Sequence, residues 1–292
     1  MAQEFARSEL ILNDDGSIYH LRLKKENVAD TIILVGDPGR VSVLSSMFDT
    51  VDFRMENREF VTHTGSYKGS RITAISTGIG TDNIDIVINE LDALLNIDLV
   101  KRQKKKEHKS LKFIRVGTTG GLQPDLKPGS FILSRIAGGF DGLLHFYRDG
   151  FQVCDENIEK AFVNHTGWFD KRPVPYFVHG SKILYDRLND GIRSGITISC
   201  PGFYGPQGRQ LRLPVVDPTL NEKIESFRCG SLKITNFEME SSALYGLSSM
   251  LGHEAVTICA VIANRVTGES VSDHAKVIKD LLRFTLEHVF EN

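Results

Sequence analysis

Apolar positions follow two rhythms along this 292-residue chain. The first, TIILV at 31–35, is a run of strand length in which four of the five residues are β-branched. GDPGR follows it at once, and VSVLSSMF then predicts a short helix. EFVTHTGSYKGSRITAIST, residues 59–77, predicts two strands joined by a glycine-bounded turn. After GIGTDN the period changes. Ile84, Val87, Ile88, Leu91, Leu94 and Leu95 recur at helical spacing, with Thr81 or Asp82 available as the cap. LKFIRVGTTGG predicts a strand running into glycines, and FILSRIAGG and PVVDP mark further strand ends. KITNFEME predicts a strand ending at carboxylates, and VTICAVIANRVTG a buried strand. The last helix is expected from about Ser272, with Val277, Ile278, Leu281, Leu282 and Val289 on one side. Strands that end in glycine turns and lead into helices predict an α/β fold with a largely central sheet. Functional residues are expected where those strands end. No repeat, low-complexity tract or linker divides residues 1–292, so one domain is expected, with a basic insert, KRQKKKEHKS, at 101–110.

Composition narrows the function classes. An apolar content of 41% and a formal charge of −2 describe a soluble globular protein, and they exclude nucleic-acid binding by global positive charge. The basic run has no interleaved aromatic residues to stack on bases, so it reads as a solvated helix end or loop. MAQEFARSEL lacks the apolar core of a signal peptide, and the longest apolar run, Ile258 to Ala263, is far below a membrane span. Cys154, Cys200, Cys229 and Cys259 are scattered without a CxxC pair. They predict reduced thiols in a cytoplasmic protein, with neither disulfides nor a zinc site.

Four stretches carry candidate chemistry. In GDPGR the glycines would let amides approach an anion while Arg40 adds a forked cation; a plain β-turn is the alternative. RVGTTGG repeats the theme with Arg115, Gly117 and the hydroxyls of Thr118 and Thr119. In NFEMES, Glu238 and Glu240 lie two apart, so an extended backbone projects them to the same face. There they could accept hydrogen bonds from the vicinal hydroxyls of a ribose. Read alone, an acidic helix start matched to the helix dipole is the stronger account of that pair. FYGPQGRQ offers the Phe203 ring, the Gln207 amide and the Arg209 guanidinium, a set that can read a base. Ser272, Asp273 and His274 read as helix caps rather than a catalytic dyad, and the nine histidines show no metal-ligand spacing.

Together the motifs IYHLRL, GDPGRV, NREF, STGIG, RVGTTGG, FYGPQGR, FEMES and VIANR follow one another in an order that resembles the nucleoside phosphorylase family, and within it the uridine phosphorylases. The resemblance covers almost the whole chain. It implies a single-domain, three-layer α/β sandwich with a mixed, partly barrelled central sheet flanked by helices. It also implies a pentosyltransferase that cleaves uridine reversibly with phosphate to uracil and ribose 1-phosphate, a step of pyrimidine salvage. Carried over residue by residue, Gly36, Arg40, Arg115 and Thr118 would bind phosphate. Arg58 would reach the phosphate of a neighbouring subunit. His20 would contact the ribose 5′-hydroxyl, again across an interface, and Met239 and Glu240 would hold the ribose with Glu238 nearby. Phe203, Gln207 and Arg209 would read uracil, with Ile262 lining the pocket and Arg265 supporting it from behind. Arg115, Arg209 and Glu240 are the expected catalytic residues.

The implied partners are uridine, phosphate and further copies of the chain in a homo-oligomer built from dimers with shared sites. No nucleic acid, membrane or cofactor is expected, phosphate being a co-substrate. Some family members hold a monovalent cation with Glu59, Ile79 and the last residue of a motif that bacterial members often write GGPS. Here the motif is GTDN and that residue is Asn83, a departure, and no metal is expected. Three rivals remain. A purine nucleoside phosphorylase would place an acid near the base, where this chain has Asn264 and Arg265. A hydrolytic nucleosidase of the same fold has no use for three phosphate arginines. A nucleoside-storage protein needs no catalytic set.

Overall fold

The computed structural model describes residues 4–291. In chain order its principal elements are β1 (Thr31–Val35), α1 (Gly39–Ser45), β2 (Thr50–Asn57), β3 (Phe60–Tyr67), β4 (Ser70–Ser76) and α2 (Thr81–Asn96). A small hairpin, β5 (Ile97–Asp98) and β6 (Gln103–Lys104), precedes β7 (Lys112–Gly121) and β8 (Phe131–Gly139). Then come α3 (Glu156–Thr166), β9 (Tyr176–His179), α4 (Lys182–Leu188), β10 (Arg193–Ser199), α5 (Leu220–Ser226) and β11 (Arg228–Cys229). The chain closes with β12 (Leu232–Glu238), α6 (Ser241–Leu251), β13 (Glu254–Asn264) and α7 (His274–Val289).

The main sheet runs β11-β12-β10-β8-β13-β7-β1-β4-β3-β2, with β9 beside β8. β12 also pairs antiparallel with β7 through Asn236–Gly121 and Phe237–Gly120, so β7, β13, β8, β10 and β12 close on themselves. The result is a mixed α/β domain with a partly closed sheet flanked by helices. Space at the closing pair is tight: a Cβ on Gly121 would lie 3.2 Å from Leu126 Cδ2 and 3.4 Å from Val261 Cγ1. α2 buries Ile84, Val87, Ile88, Leu91, Leu94 and Leu95 against one side of the sheet, as their spacing requires. α7 buries Leu281, Leu282, Leu286 and Val289 in a separate apolar cluster. β1 is parallel to both β4 and β7, so the carboxyl ends of β1 and β4 lie side by side, and β1 ends opposite Val116 in the middle of β7.

Several expectations need correction. The glycines of RVGTTGG do not end the strand: β7 continues through Gly121 because β13 pairs with it along its length. PVVDP forms no strand, because Pro214 and Pro218 lack the amide protons a ladder requires. The cap of α2 is neither Thr81 nor Asp82 but Gly80, whose φ of +101° glycine tolerates. Part of the basic run is strand, since Gln103 and Lys104 pair with Ile97 and Asp98. β2 is an edge strand that went unrecognised. Its exposed and half-buried positions alternate along TVDFRMEN, a period-two signal present in the sequence.

Candidate active site

The site forms where β1, β4 and β12 end, alongside the middle of β7. In the β1–β7 register Leu34 lies opposite Arg115 and Val35 opposite Val116, which brings Gly36 beside Gly117. The two glycine motifs are therefore neighbours in space. Arg115 is 4% exposed and its guanidinium lies back over the strand. Only glycine at 117 allows this, because a Cβ there would stand 2.2 Å from Arg115 Nη1.

Glu238 and Glu240 do converge, but on Arg115. Arg115 Nη1 lies 3.2 Å from Glu238 Oε2, and Nη2 is paired with Glu240 Oε2. The dipole account of Glu238 also holds. As α6 begins, its carboxylate accepts the amides of Glu240 (2.9 Å) and Ser241 (3.0 Å), and also the Ser199 hydroxyl from the end of β10. Glu238 is thereby fully engaged with the chain. Glu240 spends its other oxygen on the Gly80 amide (2.8 Å), which ties the start of α2 to the start of α6. Met239, between them, is half-buried. Arg115 Nε is buried and has no hydrogen-bond partner among the described residues.

The electrostatics follow from this packing. Burial raises the Glu240 carboxyl to about 6; Arg115 opposes the shift and Glu238 adds to it. Burial alone would lower the Arg115 guanidinium, but Glu240 and then Glu238 outweigh it, so its charge is held firmly. Cys259, with Sγ 3.8 Å from Arg115 Nη1, is pushed up to about 12 by burial despite the nearby cation, so it stays an inert thiol. Arg40 is partly buried at the start of α1. Burial lowers it first, Asp37 opposes, and Arg115 adds repulsion. Thr119 is used up in the core, donating to the Phe237 carbonyl and accepting from Asn236, whereas Thr118 is half-buried.

The base-reading residues form a second group. Arg209 Cζ lies 3.7 Å from the Phe203 ring centroid. Its Nη1 donates to the Phe203 carbonyl (2.7 Å) and to Gln207 Oε1 (2.5 Å). Gln207 is 4% exposed, and its Oε1 accepts from Arg209, which fixes the orientation of the amide. Arg265 Nη2 donates to the Gln207 carbonyl (3.2 Å) from behind the turn. Burial first, and repulsion from Arg265 second, lower Arg209 to about 10. Ile262 is half-buried near this end of β13. Asn264 has no capacity left for a ligand. Its amide donates to the carbonyls of Gln123 and Leu126, and its oxygen accepts the amides of Val266 and Thr267.

Two expected residues make their contacts elsewhere. His20 pairs with Glu90 on α2. Arg58 is exposed at the β2–β3 turn with φ +56°, its guanidinium 5.8 Å from the Tyr19 ring. Among the described residues no hydrogen bond or ion pair joins either of them to Arg115, Glu238 or Glu240.

The candidate cation residues do meet. A Cβ on Gly78 would touch both Asn83 Nδ2 and Glu59 Cγ, but Asn83 turns its amide donor toward the Ile79 carbonyl (3.4 Å). Another group, Asp92, His108 and His253, brings ligand-type atoms within 4.8 Å of one another, about three turns along α2 from Gly80. His253 Nδ1 accepts the Leu111 amide (3.2 Å), so the proton of the neutral ring sits on Nε2, 3.2 Å from Asp92. That nitrogen has no lone pair to give a metal.

Ser199, Gly80, Cys259 and Glu90 were not anticipated. Ser199 sits at a strand end, the one signal that could have flagged it.

Residues 30–288 match the family model of the phosphorylase superfamily. The chain is 33% identical to a uridine phosphorylase of Thermococcus kodakarensis, over 92% of this chain and 85% of the relative. It is 26% identical to a DeoD-type purine nucleoside phosphorylase of Listeria monocytogenes, over 92% and 97%. A crystal structure of a Trypanosoma brucei nucleoside phosphorylase, described as showing uridine phosphorylase activity, superposes with a TM-score of 0.86 at 30% identity, covering 96% of this chain and 98% of that one.

Proposed function

The chain belongs to the phosphorylase superfamily, and on that premise we propose that it is a uridine phosphorylase, a pentosyltransferase that converts uridine and phosphate to uracil and ribose 1-phosphate. The observation that carries this reading is the buried Arg115–Glu240 ion pair. It couples a cation beside Gly36, suited to phosphate, to a carboxylate suited to sugar hydroxyls.

Phosphate would enter beside Gly36 and Thr118 and take the vacant Arg115 Nε, with Arg40 adding charge. It competes with Glu240 for Arg115, which frees Oε2 to accept from the ribose hydroxyls. As the bond from C1′ to N1 breaks, its electron pair leaves with the base and the sugar becomes cationic. A phosphate oxygen then forms the new bond to C1′. Phosphate and Glu240 stabilise the sugar cation, and Arg209 meets the departing negative ring. Arg209 and Arg265 carry charges that burial disfavours, so an anionic ring is what this end of the site lacks.

The 26% identical purine enzyme keeps a purine reading in play. Against it, Asn264 is neither an acid nor free to act, since its side chain closes the turn after β13. Among the described residues His20 and Arg58 make no hydrogen bond or ion pair with Arg115 or Glu240, and in this reading they complete the site of a second copy in a homo-oligomer built from dimers.

Release of base from uridine, cytidine and inosine, with and without phosphate, tests the assignment. Phosphate-dependent cleavage of uridine, with cytidine and inosine poor, is expected. Rapid release without phosphate would indicate a hydrolase, and inosine cleaved faster than uridine would favour the purine enzyme.

A further inference from the structure

A cavity of about 330 Å³ lies behind the base-reading turn, between the segment that follows α3 and the long connection from β10 to α5. That volume falls within the range of small-molecule sites. Phe203, Gln207 and Arg209 do not line it, although Gly205, Pro206 and Gly208 of the same turn do. Its walls include the back of the turn rather than the side chains that would read a base. Pro173, Pro201, Pro206 and Pro214 make those walls stiff and apolar. Phe140 and Trp168 add two rings, with centroids 4.6 Å apart.

One cation interrupts this lining. Arg172 borders the cavity with its guanidinium carbon 4.5 Å from the Trp168 ring centroid. Its side chain makes no hydrogen bond or ion pair among the described residues, and its Nε is buried without a partner. Asp217, the one carboxylate of the lining, is committed elsewhere. It accepts the amide and the hydroxyl of Thr219 (3.0 and 2.8 Å) and the Lys223 ammonium (2.9 Å). Burial lowers the Arg172 guanidinium, and Asp217 opposes this without outweighing it. Trp168 has no donor to spare, because its Nε1 serves the Pro173 carbonyl (2.9 Å). The cavity thus lacks an acceptor, and a negatively charged one.

We propose that this cavity binds a small planar aromatic carboxylate, whose ring packs among the prolines, Phe140 and Trp168 and whose charge meets Arg172. A cavity of about 150 Å³ holds benzene, so one of about 330 Å³ takes two fused rings and a carboxylate. A phosphate fits less well, since it would shed more hydration into apolar walls for the sake of one guanidinium. No step of uridine cleavage uses this space, so the site stands or falls independently of the catalytic assignment.

Trp168 is the only tryptophan of the chain, and its emission therefore reports occupancy. The probes are 1-naphthoate and 1-naphthalenemethanol, the same rings with and without a charge, titrated into the full-length protein. Saturable quenching by both is expected, the acid binding about tenfold more tightly. Arg172→Ala should weaken the acid about tenfold and shift the alcohol by no more than about threefold. Val215→Phe, which narrows the cavity and keeps the cation, should weaken both probes alike. Arg172→Gln, which retains most of the bulk, carries the same expectation as the alanine variant should circular dichroism show the latter unfolded. Quenching that does not saturate, a preference for the acid that survives loss of the Arg172 charge, or binding untouched by Val215→Phe would overturn the proposal.

Discussion

Gly117→Ala is the most direct probe of how the site is seated. The new Cβ would stand 2.2 Å from Arg115 Nη1 and 3.0 Å from both Arg115 Cζ and Cys259 Sγ. Ordinary contact begins near 3.4 Å, so the guanidinium must retreat by about 1.2 Å. The obstacle is the far end of a flexible side chain rather than backbone, so the fold should survive at a cost of about 1–3 kcal/mol, the usual range for overpacking. The catalytic cost is larger. A displacement of about 1 Å in a positioned group is worth about a hundredfold in rate, and here it pulls Arg115 away from Glu238 and Glu240 together. We expect kcat/KM for uridine to fall about a hundredfold, the KM for phosphate to rise, and urea denaturation to show only the modest loss. Activity within threefold of the unaltered protein, at unchanged phosphate KM, would mean that Arg115 is not the group on which phosphate is poised.

Further outcomes follow from the same geometry. The Glu240 carboxyl sits at about 6, so kcat/KM should fall as pH drops through that value, and Glu240→Gln, about a hundredfold slower, should lack that acid limb in its pH profile. Because the folded-state value lies above the ordinary 4.5, this proton favours the folded form as pH falls from about 6 toward 4.5; circular dichroism should therefore show no unfolding assignable to Glu240 where activity is lost. Arg209→Ala should lower kcat/KM for uridine far more than it alters phosphate affinity by calorimetry, and equal losses in both would remove it from the base site. Inactive Arg58→Ala and Arg115→Ala chains, dissociated and reassembled together, should recover part of the activity in a base-release assay, and none would recover if each copy built its site alone.

What could be read from the chain and what could not divide along sequence separation. β1, the β3–β4 pair, α2 and α7 are local patterns, and their periodicity survives into the structure because each buries the face its spacing predicts. Family membership was legible for a similar reason, since its motifs are short and contiguous. The residues that shape the site are joined over distance. Glu240 meets a Gly80 amide 160 residues away, and Glu238 meets a Ser199 hydroxyl 39 residues away. Neither contact leaves a local trace. The convergence of Glu238 and Glu240 could be anticipated from their spacing, but their target could not, because it depends on β12 folding back beside β7. The role of Gly117 was masked for the same reason: a glycine in a strand looks like a turn until the side chain lying over it is known.

The ring made by β7, β13, β8, β10 and β12 also sets an order of events during synthesis. Arg115 is made 125 residues before the Glu240 that neutralises it. At bacterial or eukaryotic elongation rates that is on the order of ten seconds. During that interval the guanidinium cannot be dehydrated at tolerable cost, so the half of the sheet built from β1, β4 and β7 must wait, hydrated at its carboxyl edge, until β12 and β13 emerge. The buried charge that organises the finished site is thus a brake on the nascent chain. The same unfilled, glycine-rich edge leaves backbone amides and carbonyls unpaired, open to a wrong strand.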